Sequence, residues 1–166
     1  MMLIRTEQPA DIEAIHAVHA SCFPTELEAN LVDALRESGH LTVSLVADAG
    51  GTVVGHVAFS PVTAVTGAAG IGLGPVAVIE NQRRQGVAAQ LIGDGLDSCR
   101  ALGYQWAVVL GEPAYYSRFG FRSAVEFGLS DEYGGGQYFQ AVELKPGGIP
   151  RGAGLVRYAP EFAACE

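Results

Sequence analysis

Lysine is almost missing from this sequence: Lys145 stands alone beside nine arginines, and the formal net charge is −8. A nucleic-acid backbone is held by clustered cations, so this balance argues against DNA or RNA as a partner. A negative field suits a cationic amine as substrate, and it also serves solubility. No apolar run approaches the about 20 residues that a membrane helix needs. The stretch Met1-Met2-Leu3-Ile4-Arg5 turns polar at once. It lacks the apolar run of about 7–15 residues typical of a signal peptide, so no membrane association or export is expected, and the expected location is cytoplasmic. Cys22, Cys99 and Cys165 are odd in number and far apart, which suits free thiols better than a disulfide framework. His19, His40 and His56 show no ligand spacing, H-E-x-x-H does not occur, and Glu13-x-x-His16 has no second copy to complete a di-iron motif. No metal is expected. G-x-x-x-x-G-K-[ST], G-x-G-x-x-G before a helix, and G-x-S-x-G are absent as well.

What remains is a chain of 166 residues with 49% hydrophobic side chains, enough for one core. The expectation is a single domain over 1–166, with a loop-rich extension from about 146, where Pro146 to Gly154 is dense in glycine and proline. Leu3 to Thr6 reads as a strand. Pro9 precedes a helix whose apolar stripe is Ile12, Ile15, Val18 and Cys22. Thr25-Glu26-Leu27-Glu28 has the form of a capping box before a second helix, with Leu27, Leu31 and Leu35 as its buried row and Gly39 as its stop. A hairpin follows, Val43 to Ala47 against Val53 to Phe59, turning at Ala49-Gly50-Gly51. Pro61 to Val65 continues extended. Ile71 to Ile79 reads as a strand that must bulge or splay near Pro75, because proline cannot donate to a ladder.

From Ala88, the positions Leu91, Ile92, Gly95, Leu96, Cys99 and Leu102 keep a helical period up to Gly103. Gln105 to Leu110 is a mostly apolar strand, so strand, helix and strand imply a parallel, right-handed crossover. A short helix near Pro113 to Arg118 and strands near Arg122 to Val125, Tyr138 to Leu144 and Leu155 to Tyr158 complete the pattern. Cys99 falls on the buried stripe of its helix, which gives little support to a covalent acyl-enzyme.

The chemistry concentrates where the splayed strand meets the helix, at Arg83-Arg84-Gln85-Gly86-Val87-Ala88. Gly86 lets the backbone approach a ligand, Ala88 keeps bulk out of the first turn, and unpaired N–H groups at a helix start attract an anion. Arg83 and Arg84 add charge-assisted contacts to phosphate oxygens. A single R-x-x-G-x-A also arises by chance, and it is the flanking strand, helix and second strand that favour an anion site over a plain helix start.

This stretch resembles the Q/R-x-x-G-x-G/A signature of the GCN5-related N-acetyltransferase (GNAT) superfamily. Tyr115-Tyr116-Ser117-Arg118-Phe119-Gly120-Phe121 is similar to the segment that follows that superfamily's fifth strand. Glu28 to Val32, Gly55 to Val62 and Leu110 to Tyr116 look like its YhbS-like bacterial branch. The resemblance covers most of the chain. It implies a mixed α/β (α+β) fold, with a mostly antiparallel sheet, a splayed parallel strand pair at a cofactor cleft and about four helices. It also implies acetyl-CoA as cosubstrate, with the pantetheine arm along the main chain of Val76, Ala77 and Val78 and the Val78 N–H polarising the thioester carbonyl. The pyrophosphate would lie on Arg83, Arg84, Gln85, Gly86, Val87 and Ala88, and Tyr116 would give a proton to the departing thiolate. Many relatives carry asparagine seven residues before that tyrosine, where this chain has Val109.

An attacking amine must first lose a proton. Glu28, Glu80 and Glu112 are candidates to take it through a water, and each also has a simpler role as surface residue or helix cap. The expected function is direct acetyl transfer to a primary amine, on a small molecule or a peptide. The alternatives are a non-catalytic acyl-CoA sensor or a structural, partner-binding domain. The acceptor, the use of longer acyl groups and the oligomeric state, with a homodimer among the options, stay open; residues 21–26 and 130–138 are the expected walls of the acceptor site.

Overall fold

The computed structural model describes residues 2–165, and of Cys165 the backbone only. The strands are β1 (Met2–Thr6), β2 (Val43–Ala49), β3 (Thr52–Ala64), β4 (Ala69–Val78), β5 (Trp106–Leu110), β6 (Arg122–Ser123), β7 (Leu129–Asp131), β8 (Phe139–Glu143) and β9 (Gly154–Arg157). The helices are α1 (Ile12–Cys22), α2 (Leu27–Ser38), α3 (Val87–Ala101) and α4 (Pro113–Tyr116). The strands hydrogen-bond in the order β1-β2-β3-β4-β5-β8-β6, and β9 pairs with both β3 and β7. Most pairs are antiparallel, while β4–β5 and β7–β9 are parallel. This is the expected mixed α/β architecture with a mostly antiparallel sheet.

The residues cluster into two compact units, residues 1–59, 75–95 and 160–166 in one and residues 60–74 and 96–159 in the other. In the first unit, Ile15 of α1, Val32 of α2, Val46 of β2 and Ala58 of β3 form a fully buried cluster, with Leu41 and Val53 packed on it. The β2–β3 hairpin turns on Gly50 and Gly51, both at positive φ (62° and 97°). Gly39, at φ 82°, ends α2 by donating its N–H to Leu35 and Arg36 carbonyls. Gly95 lets the middle of α3 lie directly on Phe59, since a Cβ there would be driven into the Phe59 ring.

In the second unit, β4 pairs with β5 over Ile71–Ala107, Gly72–Val108 and Leu73–Val109 and no further. Gly74 (φ 135°) and Pro75 follow at once, so the ladder stops where the proline was expected to break it. The ring of Trp106 occupies the space that a side chain on Gly70 would fill.

Four details differ from the sequence reading. Thr25 Oγ1 accepts from the Leu27 N–H (3.3 Å), and neither Thr25 nor Glu28 closes a capping box, because α2 begins at Leu27 with Glu26 as its N-cap, one residue later than the box requires. Leu27 and Leu102 are exposed, the first at the start of α2 and the second beyond the end of α3, so the buried rows are shorter than the periodicity suggested. Only Arg122–Ser123 of the expected third-last strand is extended, and residues 124–127 turn as a 3-10 helix. The short strand β7 was not anticipated; it is held by parallel pairing to β9.

The α3 contact separates two glycines that sequence cannot rank. Gly95→Ala should cost about 1–3 kcal/mol in urea unfolding, because the methyl overpacks Phe59. Gly93→Ala, where a Cβ meets nothing within 4 Å, should leave stability unchanged or raise it by up to about 1 kcal/mol.

Candidate functional site

In the first unit, the last residues of β4 and the start of α3 form one continuous stretch. Ile79 donates its N–H to Val54 O (2.9 Å), which holds the end of β4 against β3. The other side of that peptide, Val78 O, accepts from the Cys22 thiol (3.3 Å) and from Arg83 Nε (2.9 Å). The Val78–Ile79 peptide plane is therefore gripped from both sides. Gly55 permits close approach here: a Cβ would sit 3.3 Å from both Ala77 O and Val78 Cγ2 and 3.2 Å from Leu91 Cδ1. Val76 is half-buried, while Ala77 and Val78 are buried.

After Val78 the chain makes a 3-10 turn over Glu80–Gln82, where Gln82 and Arg83 donate to Ile79 O and Glu80 O. The pattern then changes. From Arg84 through Ala89 no backbone N–H finds an acceptor among the described residues, and the ladder resumes with Gln90 N–H to Gly86 O (3.0 Å). Arg84 adopts φ 64°, the one described non-glycine residue at positive φ, and Gly86 adopts φ 80°. Alternating hands of this kind turn successive amides toward one side, as in anion-binding nests. A Cβ at Gly86 would meet nothing within 4 Å, so its glycine serves backbone conformation rather than packing inside the protein. Arg83, Arg84, Gln85 and Gly86 are exposed, whereas Val87 is buried and anchors the helix start. The donor run, the local charge of Arg84 and the positive end of a four-turn helix make this a fitting cradle for a diphosphate. Arg83 differs in part from its expected use, since its Nε is committed to Val78 O and only the far end of the guanidinium is left for a ligand.

Tyr116 belongs to the second unit. It is buried at the end of α4, with its ring edge-on to Tyr115 and Phe121. Gly111 makes room for it: a side chain there would run into the Tyr116 ring. Burial, aided by the neighbouring Tyr115, pushes the phenol up to about 12, so it keeps its proton at neutral pH. Val109, in the place of the relatives' asparagine, is buried on β5. Of the proposed bases, Glu80 and Glu112 are exposed; Glu28 is half-buried with Oε1 enclosed and without a partner. Cys99 is fully buried, and burial pushes its thiol up to about 12, which removes it as a nucleophile. Among the described residues, no group of three or more His, Cys, Asp or Glu could hold a metal ion, and no helix is long and apolar enough to cross a membrane.

Residues 3–124 match the family model of the acetyltransferase (GNAT) domain. The chain belongs to the GNAT family. It is 45% identical over 165 residues to the uncharacterized N-acetyltransferase YhbS of Escherichia coli K12, covering 97% of this chain and 98% of that protein. The crystal structure of E. coli YhbS in complex with CoA superposes with a TM-score of 0.93 at 42% identity, covering 98% of this chain and 92% of that one. A GNAT family acetyltransferase from Brucella melitensis, solved with acetyl-CoA, gives a TM-score of 0.83 at 36% identity, with 98% of each chain covered. The YhbS-like placement inferred from local motifs thus holds over the full length.

The left-handed arginine gives a test of the turn. Arg84→Gly removes a strained φ worth about 1–2 kcal/mol and adds backbone entropy of similar size. Its unfolding free energy should stay within about 1 kcal/mol of wild type. A larger loss in chemical denaturation would mean that the Arg84 side chain holds the fold.

Proposed function

We propose that this protein is an acyl-CoA-dependent N-acetyltransferase that moves acetyl from acetyl-CoA to a primary amine by direct attack, within a single GNAT domain working in the cytoplasm. The run of acceptor-less amides from Arg84 to Ala89 carries the reading, because it offers a doubly charged diphosphate the donors that water would otherwise supply. Family membership and the CoA and acetyl-CoA complexes of two relatives support the same donor.

When bound, acetyl-CoA supplies an acyl carbon joined to a thiolate leaving group. The chain's own residues supply position and charge. Val76, Ala77 and Val78 offer main-chain groups to the pantetheine arm, and the Val78 N–H is assigned to the thioester carbonyl, where charge develops. The next peptide, fixed by Cys22, Arg83 and Val54, keeps that amide from tilting. Tyr116, with a proton that burial retains, is assigned to the departing sulfur. Holding the reactants together can lower the barrier by about 7–11 kcal/mol without further chemistry. The acceptor is an amine on a small molecule or a peptide.

Gly86→Glu should abolish the rise in melting temperature that acetyl-CoA causes, by placing a carboxylate where phosphate binds. Tyr116→Phe should keep that rise and lower amine-dependent thiol release about 10²-fold. Equal turnover in Tyr116→Phe would remove Tyr116 from the chemistry. A melting shift without thiol release from any amine would mark an acyl-CoA sensor instead, and mass spectrometry of ligand carried through purification would show which acyl group it holds.

A further inference from the structure

In the second unit, one enclosed polar side chain has no part in the site described above. Gln140 of β8 is 1% exposed and is among the largest fully buried side chains of the described residues. Its Nε2 donates to Gly111 O at 3.0 Å, with Tyr138 O at a longer 3.5 Å. Both neighbours are carbonyls, which can only accept, so the NH2 end of the amide is the end that faces them. The reach follows from register. Gln140 stands directly opposite Val109 in the β5–β8 pair, so the two side chains share one face of the sheet. Gly111 extends that pair by donating its N–H to Tyr138 O (3.0 Å). Two residues beyond Val109, it opens toward the same face and lies diagonal to Gln140, within reach of a long side chain.

Gly111 in turn carries Tyr116. A Cβ on Gly111 would fall 2.4 Å from Tyr116 Cε2 and 2.9 Å from Cδ2, so the phenol ring rests directly on the Gly111 backbone. Between the two lie Glu112 and α4, whose four residues have Pro113 at the start and no side-chain cap. Tyr115 and Tyr116 both donate their N–H groups to Glu112 O, at 3.1 Å each, so this turn is suspended from the residue after Gly111. Gly111 itself is tied on both sides, through its N–H to Tyr138 and through its carbonyl to Gln140. Leucine or methionine at position 140 would fill a similar volume and leave the Gly111 carbonyl without that donor. The buried amide therefore fixes a backbone position that an apolar side chain would leave loose.

We propose that Gln140 is a positioning residue for Tyr116: by holding Gly111 O it fixes the backbone on which the phenol rests, and so sets where the Tyr116 O–H stands. The role rests on the acetyl-transfer reading, in which Tyr116 gives its proton to the departing sulfur. Gln140 touches no reacting atom, and its effect passes through Gly111 to the ring. A displaced phenol slows proton delivery and leaves the amides that hold the diphosphate untouched, because proton transfer depends on hydrogen-bond reach between donor and acceptor.

A double-mutant cycle on the full chain tests this. Gln140→Met keeps the volume and removes the donor. It should keep the melting shift with acetyl-CoA and the KM for acetyl-CoA, and lower kcat for amine-dependent thiol release about tenfold. In a Tyr116→Phe background the same change should cost no more than about twofold, since the proton it serves to place is already gone. A loss that is purely structural would lower both backgrounds alike; that result overturns the proposal, as does wild-type kcat in Gln140→Met. Gly111→Ala is a second route that leaves Gln140 in place. Its methyl must displace the Tyr116 ring, so it should show a comparable kcat loss and the same lack of additivity with Tyr116→Phe. Wild-type kcat in a folded Gly111→Ala overturns the proposal even where Gln140→Met does not fold. A wild-type protein that binds acetyl-CoA and acetylates no amine removes the acetyl-transfer reading itself, and this role with it, whereas slow Tyr116→Phe beside unchanged Gln140→Met removes the role alone.

Discussion

The first four amides of any helix lack acceptors within it, and at the start of α3 the row is longer, from Arg84 to Ala89 among the described residues. Everything about the site follows from how the chain arrives at that row. The β4 ladder to β5 stops at Leu73, Gly74 and Pro75 end that pairing, and the strand runs on to Val78 without β5. A 3-10 turn and two residues at positive φ then feed the helix, so that its first turn opens toward an anion instead of being capped by a side chain. An ordinary N-cap by serine or aspartate would satisfy one of those amides and close the cradle. None occupies residues 83–86, and the arginines there supply charge without acting as acceptors.

Much of this was legible because each feature has a local cause. Gly86 after two arginines, proline within an apolar strand, and a long amphipathic period ending at Gly103 all act through the nearest few residues. Where the reading missed, the deciding contact was distant. Thr25 and Glu28 have capping-box spacing, yet α2 starts at Leu27 and the two never face each other's amides. Leu129–Asp131 is too short to show a period, and it is extended only because β9 pairs with it. Arg84 in the left-handed region has no composition cue at all, since glycine or asparagine is the usual occupant.

A hydrogen-bonded line of polar side chains in the first unit was the least legible feature. Its members are residues 7, 19, 36, 44 and 56, scattered over two helices, two strands and the turn after β1, and their spacing resembles no motif. Metal-ligand spacing was the wrong question to put to His19 and His56. They bond to each other, at 2.8 Å, and their protons are placed by a hydroxyl and a carboxylate. Only a register that sets β2 beside β3, with Ser44 opposite Ala58 and Val46 opposite His56, brings these groups within reach.

The arrangement also has an energetic argument. Enclosing an unpaired acceptor costs about 1–3 kcal/mol, and apolar residues of similar size would have filled the space under α1 at no such cost. Each group from Arg36 to His56 is satisfied, so the penalty is confined to one nitrogen at the end of the line. A purely structural network could have ended on a backbone N–H or a second hydroxyl. This one ends on His19 Nδ1, an enclosed imidazole nitrogen of α1, and the cost is carried there alone.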